Sequence, residues 1–158
     1  QGRIGDIYVN MPVSPGFTYH KDDAKRSNIE KRGLITNGDR GHLTKTGYLY
    51  LADRKADMVI SGGVNIYPAE IESLLISMPG IRDCAVFGIP DQEFGEKLVA
   101  AIELIPSTEV QESEIKSFIS DRLASFKVPR IVKFYHKLPR EDSGKIFKRF
   151  LRDGFEVN

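Results

Sequence analysis

The stretch from position 53 to position 72 places the strongest constraint on the fold, because its local pattern changes several times within twenty residues. A charged segment leads into an apolar run, Ser61, Gly62 and Gly63 form a turn, and a helix begins at Pro68. Paired glycines adopt positive φ and let another molecule approach the main chain, and proline fits a first helical position because no partner is needed there for its missing N–H. We therefore expect a ligand to bind near this stretch.

The composition is that of an ordinary globular protein. Of the 158 residues, 41% are apolar and 28% are charged, enough for one ordinary core or two small ones. The 23 basic and 22 acidic residues leave a formal charge of +1, which gives no reason to expect nucleic acid or an anionic lipid as a partner. No apolar run is long enough to span a membrane and no basic-then-apolar leader opens the chain, so we expect a cytoplasmic protein.

The residues before position 53 favour strands and contain no strong helix. We expect a strand over residues 3–10, a short helix over 22–30 that Gly33 ends, and then a hairpin with its second strand at 48–51. The side chain of Asp22 or Asp23 is expected to accept from a free N–H at the start of the helix.

Beyond position 57, strands and helices alternate. Apolar residues at i, i+3, i+4 and i+7 predict a helix over residues 68–78. Residues 81–90 and 97–105 indicate two strands that pair antiparallel across an acidic loop. The single cysteine, Cys84, is expected to be a buried thiol in the first strand. The predicted core-facing residues of the helix are Ile71, Leu74, Leu75 and Met78.

The remainder predicts a second amphipathic helix over 111–124, a strand over 131–135, a loop over 138–144 and a short basic helix over 146–152. The core-facing residues of the second helix are predicted to be Ile115, Phe118, Ile119 and Leu123. The predicted fold class is therefore α+β: a strand-rich amino-terminal segment, then a small domain with a short sheet flanked by helices.

Spacing argues against two kinds of site. The three histidines are His20, His42 and His136. They lie far apart and at no metal-ligand spacing, so we expect no metal site and no Ser-His-Asp triad. The Gly144-Lys145 turn is not a Walker loop either, because Ile146 follows the lysine where that motif needs Ser or Thr.

Three motifs, in a fixed order, carry a family resemblance: ITNGDRGHL, GYLYLADRKADMVISGGVNIYPAEIE and LPREDSGKIFKRFL. Together they resemble the acyl-CoA synthetases of the adenylate-forming superfamily, which also holds luciferases and the adenylation domains of peptide synthetases. The resemblance implies terminal strands of a large adenylation domain at 1–52, a hinge at 53–57 and a small mobile domain at 58–158. The phosphate-binding loop and acyl pocket of that family belong upstream of Gln1.

The resemblance assigns nucleotide contacts to two residues. Asp39 would accept hydrogen bonds from the ribose hydroxyls of ATP or AMP, in a TGD-like motif where Asn37 stands in place of the usual Thr. Arg54 would contact ribose or phosphate through its fork of donors. An ion pair is the alternative for both residues.

The resemblance also assigns a catalytic lysine. Lys145 matches the lysine that bridges the substrate carboxylate and the α-phosphate of ATP during adenylation. A cation between two anions relieves their repulsion and stabilises the charge that gathers in the transition state. Mg²⁺, held mostly by ATP, would share this role.

Two further roles follow from the same resemblance. Ser61, Gly62 and Gly63 would line the passage for the pantetheine arm of coenzyme A, since glycines let a thin chain run against backbone. The hinge position falls on Ala56, where the family mostly has Lys or Asp.

The implied activity is AMP-forming ligation of a fatty or aryl carboxylate to coenzyme A. Because the chain begins at Gln1 and lacks the upstream domain, we expect it to be a carboxyl-terminal fragment, inactive alone, whose partner is the missing amino-terminal domain. Two alternatives stay open: part of a peptide-synthetase-type module that acts on a carrier protein, and a stand-alone binding or regulatory module.

Overall fold

The computed structural model describes residues 3–11 and 17–156. The chain divides into two compact units, Gln1–Ala56 and Asp57–Asn158, called here the amino-terminal and carboxyl-terminal units.

The amino-terminal unit consists of short antiparallel strands and one helix. Its elements are β1 (Gly5–Asp6), α1 (Asp23–Ile29), β2 (Glu30–Lys31), β3 (Leu34–Ile35), β4 (Asp39–Leu43) and β5 (Leu49–Arg54). One sheet has the order β1-β4-β5, and β2 pairs with β3 in a separate hairpin. The Asp22 side chain accepts the Lys25 N–H at 3.0 Å and caps α1.

In this unit one predicted strand is too long, and the predicted end signal of the helix is wrong, although the helix itself lies where it was predicted. The expected strand over 3–10 is reduced to β1, because the chain changes partner: Ile7 donates to the carbonyl of Asp39, whereas Val9 exchanges hydrogen bonds with Ile35. The helix ends at Ile29, and Gly33 lies instead in the turn between β2 and β3, with φ of +76°.

The carboxyl-terminal unit is an α+β sheet with helices on both faces, which confirms the predicted fold class. Its elements are β6 (Val59–Ser61), β7 (Val64–Ile66), α2 (Pro68–Ile76), β8 (Ile81–Asp91), β9 (Gly95–Leu104), α3 (Glu112–Ser120), a 3₁₀ turn (Ser125–Lys127), β10 (Ile131–Tyr135) and α4 (Lys148–Glu156). The strand β9 pairs antiparallel with β8 and β6 and parallel with β10.

Alternation along β8 and β9 divides the core into two clusters. Val86, Leu98 and Ile102 point to one face and pack with α2 and α3, while Phe87 and Val99 point to the other face, where α4 packs. Because both faces of the sheet are covered, the sequences of β8 and β9 are nearly continuous runs of apolar residues.

Four predicted core residues are fully buried: Ile71, Leu75, Ile115 and Ile119. Leu74, Met78 and Leu123 pack partly buried against the same cluster. Phe118 does not belong to the core, because its ring lies half-buried beneath the guanidinium of Arg122, at 3.9 Å.

Two helices have bounds that differ from the sequence prediction. The helix α3 ends at Ser120 rather than at 124, and the 3₁₀ turn follows separately. The helix α4 begins at Lys148, because Ile146 forms a strand-like bridge with Arg140 and is held out of the helix. No helix of the described residues is long and apolar enough to cross a membrane.

Candidate functional site

The two predicted nucleotide-binding residues lie opposite each other on β4 and β5. The Nε of Arg54 lies 3.6 Å from Oδ1 of Asp39, with the arginine side chain 60% exposed and the aspartate 24% exposed. The Asn37 amide donates to Oδ2 of Asp39 at 2.8 Å. The structure therefore forms the ion pair that was the alternative to nucleotide contact, and it leaves both side chains accessible.

Lys145 lies on a tight turn that projects its side chain outward. Glu141 and Lys145 are joined by an N–H to carbonyl bond of 2.9 Å, and Gly144, with φ of +83°, donates to the carbonyl of Glu141 at 2.8 Å. The Lys145 side chain is exposed, and among the described residues no carboxylate forms an ion pair with it. An exposed ammonium on an ordered turn is free to meet an anion.

The turn is anchored to the start of β8 and the end of β9. The Arg140 guanidinium contacts both the Asp83 carboxylate and the Gly144 carbonyl. Leu138 is buried, and its N–H donates to Oε2 of Glu103 at 2.8 Å.

A second anchor holds the other side of the turn. Lys148, at the start of α4, pairs with Oε1 of Glu72 at 2.8 Å, and the same oxygen accepts the Val86 N–H at 2.7 Å. Leu151 is buried, and the ring of Phe155 packs edge-on against Phe87. The Lys145 turn is thus fixed by contacts both before and after it.

Gly62 and Gly63 form the two-residue loop between β6 and β7, with φ of +57° and +77°. Two positive φ values in such a loop define the turn that matches the twist of an antiparallel hairpin. The Gly62 N–H donates to the carbonyl of Phe94 at 2.9 Å. The sequence predicted this turn but not the strand β7 that follows it.

A cleft of about 430 Å³ lies beside this loop. Its walls are formed by Ser61, Gly62, Val64, Phe94, Leu98, Ser125, Phe126, Val128 and Arg130. The Arg130 guanidinium lies 4.2 Å from the ring centre of Phe94. The cleft therefore combines apolar walls with one cation, and Gly63 is not among its lining residues.

Sequence reasoning missed Phe94 and Arg130. Phe94 is the aromatic residue within the acidic loop between β8 and β9, and Arg130 follows the proline that precedes β10. An aromatic residue in an otherwise polar loop was the available signal.

The two loops of the carboxyl-terminal unit lie at opposite ends of one hairpin. The Lys145 turn is anchored where Asp83 pairs with Glu103, and the glycine loop lies where Asp91 pairs with Gly95. Asp83 and Asp91 are eight residue steps apart along β8, which at about 3.3 Å per residue gives roughly 26 Å. The two loops therefore cannot occupy one small site together.

Two groups in this unit have shifted pKa values. Burial raises the pKa of the Cys84 thiol from 9.0 to about 12, and the nearby carboxylates of Glu72 and Asp83 add to the shift. The Phe94 N–H holds the pKa of Asp91 below its usual value, because it donates to the ionised carboxylate. Neither group lies in the Lys145 turn.

Ala56 is exposed and is the last residue of the amino-terminal unit. Within residues 3–11 and 17–156, no three His, Cys, Asp or Glu side chains are grouped closely enough to hold a metal ion.

Residues 70–145 match the family described as the AMP-binding enzyme C-terminal domain. The chain is 39% identical over 153 residues to a long-chain-fatty-acid–CoA ligase of Mycobacterium tuberculosis, covering 97% of this chain and 30% of that protein. It is 41% identical over 148 residues to a 2-succinylbenzoate–CoA ligase of Bacillus cereus, covering 94% of this chain and 30% of that protein. The chain thus spans about 30% of the length of these curated relatives.

Solved structures of related enzymes also match nearly the whole of this chain and about a third of their own length. ATP-bound MatB from Rhodopseudomonas palustris matches with a TM-score of 0.90 and 33% identity, over 99% of this chain and 31% of that one. The apo form of MatB matches with a TM-score of 0.72, also over 99% of this chain and 31% of that one, at 34% identity. The o-succinylbenzoate CoA synthetase of Bacillus subtilis, in complex with its acyl-adenylate intermediate, matches with a TM-score of 0.85 and 32% identity, over 99% of this chain and 31% of that one.

Fold and motifs are similar to those of the adenylate-forming superfamily. Within it, the chain is similar to the carboxyl-terminal part of the AMP-forming acyl-CoA and aryl-CoA ligases, the resemblance that the three motifs predicted.

Proposed function

We propose that this chain works as the carboxyl-terminal part of an AMP-forming acyl-CoA synthetase. In the reaction, a carboxylate and ATP give an acyl-adenylate and pyrophosphate, and the thiol of coenzyme A then displaces AMP to give the thioester. The support is that the relatives of 39–41% identity carry the names of CoA ligases for a fatty acid and an aryl acid. The acid is proposed to belong to one of these two classes.

Lys145 is proposed to act in the first half-reaction. A carboxylate that attacks a polyphosphate must overcome like-charge repulsion, and an ammonium between the two anions lowers that barrier. The exposed side chain on its anchored turn fits this role. We assign Mg²⁺ to the phosphates of ATP, since the described residues offer no cluster of metal ligands, and its chemistry there would be neutralisation of phosphate charge.

The glycine loop is proposed to act in the second half-reaction. The pantetheine arm of coenzyme A is thin, with methylene and methyl groups between its two amides, and the cleft beside Ser61 and Gly62 has apolar walls that those groups could contact. Arg130 would then bind a phosphate of coenzyme A through its guanidinium. Gly63 would contribute backbone at the tip of the loop.

The observation that carries this proposal is the separation of the two loops. Both belong to one compact unit, yet roughly 26 Å of strand lies between their anchors. A single nucleotide site can therefore receive one loop at a time, which requires the unit to turn between the two half-reactions. The different TM-scores of ATP-bound and apo MatB indicate that this part of that relative differs between its two structures.

The remaining assignments are proposals that rest on the family. Residues 1–52 would complete a large adenylation domain, Ala56 would lie at the pivot within a hinge over 53–57, and residues 58–158 would turn as the small domain. Asp39 and Arg54 would exchange their mutual ion pair for contacts with the ribose and phosphate of the nucleotide.

The test separates the half-reactions in the protein encoded by the complete gene. Lys145→Ala should lower carboxylate-dependent pyrophosphate release by about 10²- to 10³-fold, the size of a lost transition-state contact. The same variant should form thioester from supplied acyl-adenylate at the rate of the unmodified protein. Lys137→Ala, which removes another exposed lysine outside the turn, is the matched control.

Three outcomes contradict parts of the proposal. Equal loss of both half-reactions removes the assigned role of Lys145. Absence of acyl-CoA formation by the unmodified protein with a panel of fatty and aryl acids removes the function itself. Acyl transfer to a carrier protein but not to free coenzyme A replaces the proposed acceptor.

A further inference from the structure

The inference concerns Glu96, which no motif singles out and which lies at the start of β9 beside the glycine loop. Its Oε2 accepts the backbone N–H of Ile60 at 2.7 Å. Ile60 is the middle residue of β6, two positions before Gly62, the first residue of the loop.

The strand pairing explains why this N–H needs a partner. Ser61 pairs with Val64 directly across the two-residue loop, so those two residues exchange the hydrogen bonds of the hairpin. The next pair, Ile60 with Asn65, is then a non-hydrogen-bonded pair, and the Ile60 N–H points away from β7.

On its other side, the described part of β6 is paired with β9 at Ser61 and Gly95 alone. The Ile60 N–H donates to the Glu96 carboxylate, which takes the place that a main-chain carbonyl would have in a longer ladder. A hydrogen bond to an ionised acceptor is roughly twice as strong as one between neutral groups. Glu96 therefore fixes the strand that leads into the glycine loop.

The space around the carboxylate gives a second, independent observation. A Cβ built on Gly88 would lie 2.7 Å from Oε1 of Glu96 and 2.8 Å from Cγ1 of Val59. A methyl group at position 88 would therefore require the Glu96 carboxylate and the Val59 side chain to move. Glycine at this position favours the observed orientation of Glu96 through space rather than through backbone conformation.

We propose that Glu96 is a positioning residue of the thioester-forming step, which holds the β6–β7 hairpin so that Gly62 and Gly63 stand correctly for the pantetheine arm. The inference rests on the proposed function. It adds a residue that contacts no substrate and acts through the Ile60 N–H.

The experiment measures both half-reactions of the protein encoded by the complete gene. Glu96→Ala should lower kcat/KM for coenzyme A in thioester formation by about tenfold or more, the effect of one lost hydrogen bond to a charged group. The rate of pyrophosphate release should stay within about twofold, because Lys145 lies at the other end of the hairpin. Glu109→Ala, at an exposed glutamate outside the hairpin, is the control for loss of charge.

Two further variants separate positioning from simple folding. Glu96→Gln keeps an oxygen that accepts the Ile60 N–H and should recover most of the activity. Gly88→Ala should reproduce the defect of Glu96→Ala while it keeps the carboxylate, because the added methyl group displaces Glu96 and Val59. Amide hydrogen exchange at Ile60 should accelerate in Glu96→Ala and Gly88→Ala.

The outcomes distinguish this inference from the function on which it rests. If the unmodified protein forms no thioester, the proposed function fails. If it does, and Glu96→Ala uses coenzyme A equally well or loses both half-reactions together, the positioning role of Glu96 is refuted.

Discussion

The two units of the chain differ sharply in how they bury apolar side chains. Every buried hydrophobic residue among those described lies in the carboxyl-terminal unit, between Val59 and Leu151. The amino-terminal unit instead exposes four consecutive large side chains, Tyr48 and the first three residues of β5, from 48% at Leu49 to 70% at Tyr48. The carboxyl-terminal unit therefore has a hydrophobic core of its own. The described residues of the amino-terminal unit instead place large apolar side chains on the surface.

This difference separates a unit whose described residues form a hydrophobic core from a unit whose described residues do not. A three-stranded sheet gains independent stability only when a second layer covers its apolar face. The β1-β4-β5 sheet exposes Tyr50 and Leu51, at 56% and 66%. Such a sheet is the kind of segment that completes a larger domain, as proposed for residues 1–52.

The largest difference between the two units is expected when each is produced as a separate chain. A chain of residues 57–158 should unfold in one cooperative transition, because it contains both core clusters. A chain of residues 1–56 should show no cooperative transition. Circular dichroism and amide-resolved NMR would measure this, and a cooperatively folded 1–56 would contradict the contrast between the units.

Side-chain truncation sharpens the comparison. Ile71→Ala, at a fully buried residue of α2, should lower the free energy of unfolding by about 2–5 kcal/mol. Leu51→Ala, at a residue 66% exposed, should change it by about 0.5 kcal/mol or less. Urea denaturation checks both values, and similar effects at the two sites would show that the amino-terminal unit has a core after all.

Loss of the buried Glu103 carboxylate should lower the free energy of unfolding by less than Ile71→Ala does. Glu103 is 6% exposed, accepts the Leu138 N–H at 2.8 Å and pairs with Arg82 at 3.4 Å. Glu103→Ala leaves the Leu138 N–H without its acceptor and should cost about 1–3 kcal/mol. Glu109→Ala is the exposed control in the same denaturation measurement, and an equal effect of the two changes would contradict the anchoring role.

The buried thiol makes stability depend on alkaline pH. The pKa of Cys84 is raised to about 12 in the folded protein, above its ordinary value of 9.0, so the folded state keeps a proton that the unfolded chain releases. This contribution is complete below pH 9.0 and is lost as pH rises toward 12. At pH 10 the loss should be roughly 1 kcal/mol. Unfolding of Cys84→Ala should show a flatter decline with pH, and identical slopes would contradict the assignment.

The ion pair of Asp39 and Arg54 should give the smallest effect. It lies on the surface of the amino-terminal unit with the arginine side chain 60% exposed. Asp39→Asn should change the stability of the complete protein by about 1 kcal/mol or less, and added salt should reduce the difference further. A larger loss would mean that this pair holds the sheet together and is not available to a nucleotide.

The sequence predicted the strongly periodic elements and the short strand β10, but it missed the short strand β7. Apolar spacing located α2 and the antiparallel pair β8–β9, because long elements repeat their pattern several times. The three-residue strand β7 offers no alternation to recognise, and the two-residue loop before it looked like an isolated turn. The bounds of α4 depend on the bridge between Arg140 and Ile146, which is a tertiary contact.

For the candidate site too, the sequence predicted some residues, whereas others could be found only in the structure. Motif order predicted Lys145, Asp39 and Arg54 as site residues, but only strand register reveals that the last two lie opposite each other. Glu96 could not be found from sequence, because its role depends on a backbone N–H left unpaired by the geometry of β6. Residues that act through the backbone carry no side-chain pattern of their own.

The Glu72 carboxylate has a consequence for solubility. Among the described residues, the strand β8 pairs with β9 alone, so its other edge could add a strand from a neighbouring molecule. Glu72 occupies the Val86 N–H on that edge and binds Lys148 as well, and a charged pair there opposes the approach of another strand. The contact that holds α4 in place therefore also protects the longest strand of the protein from aggregation.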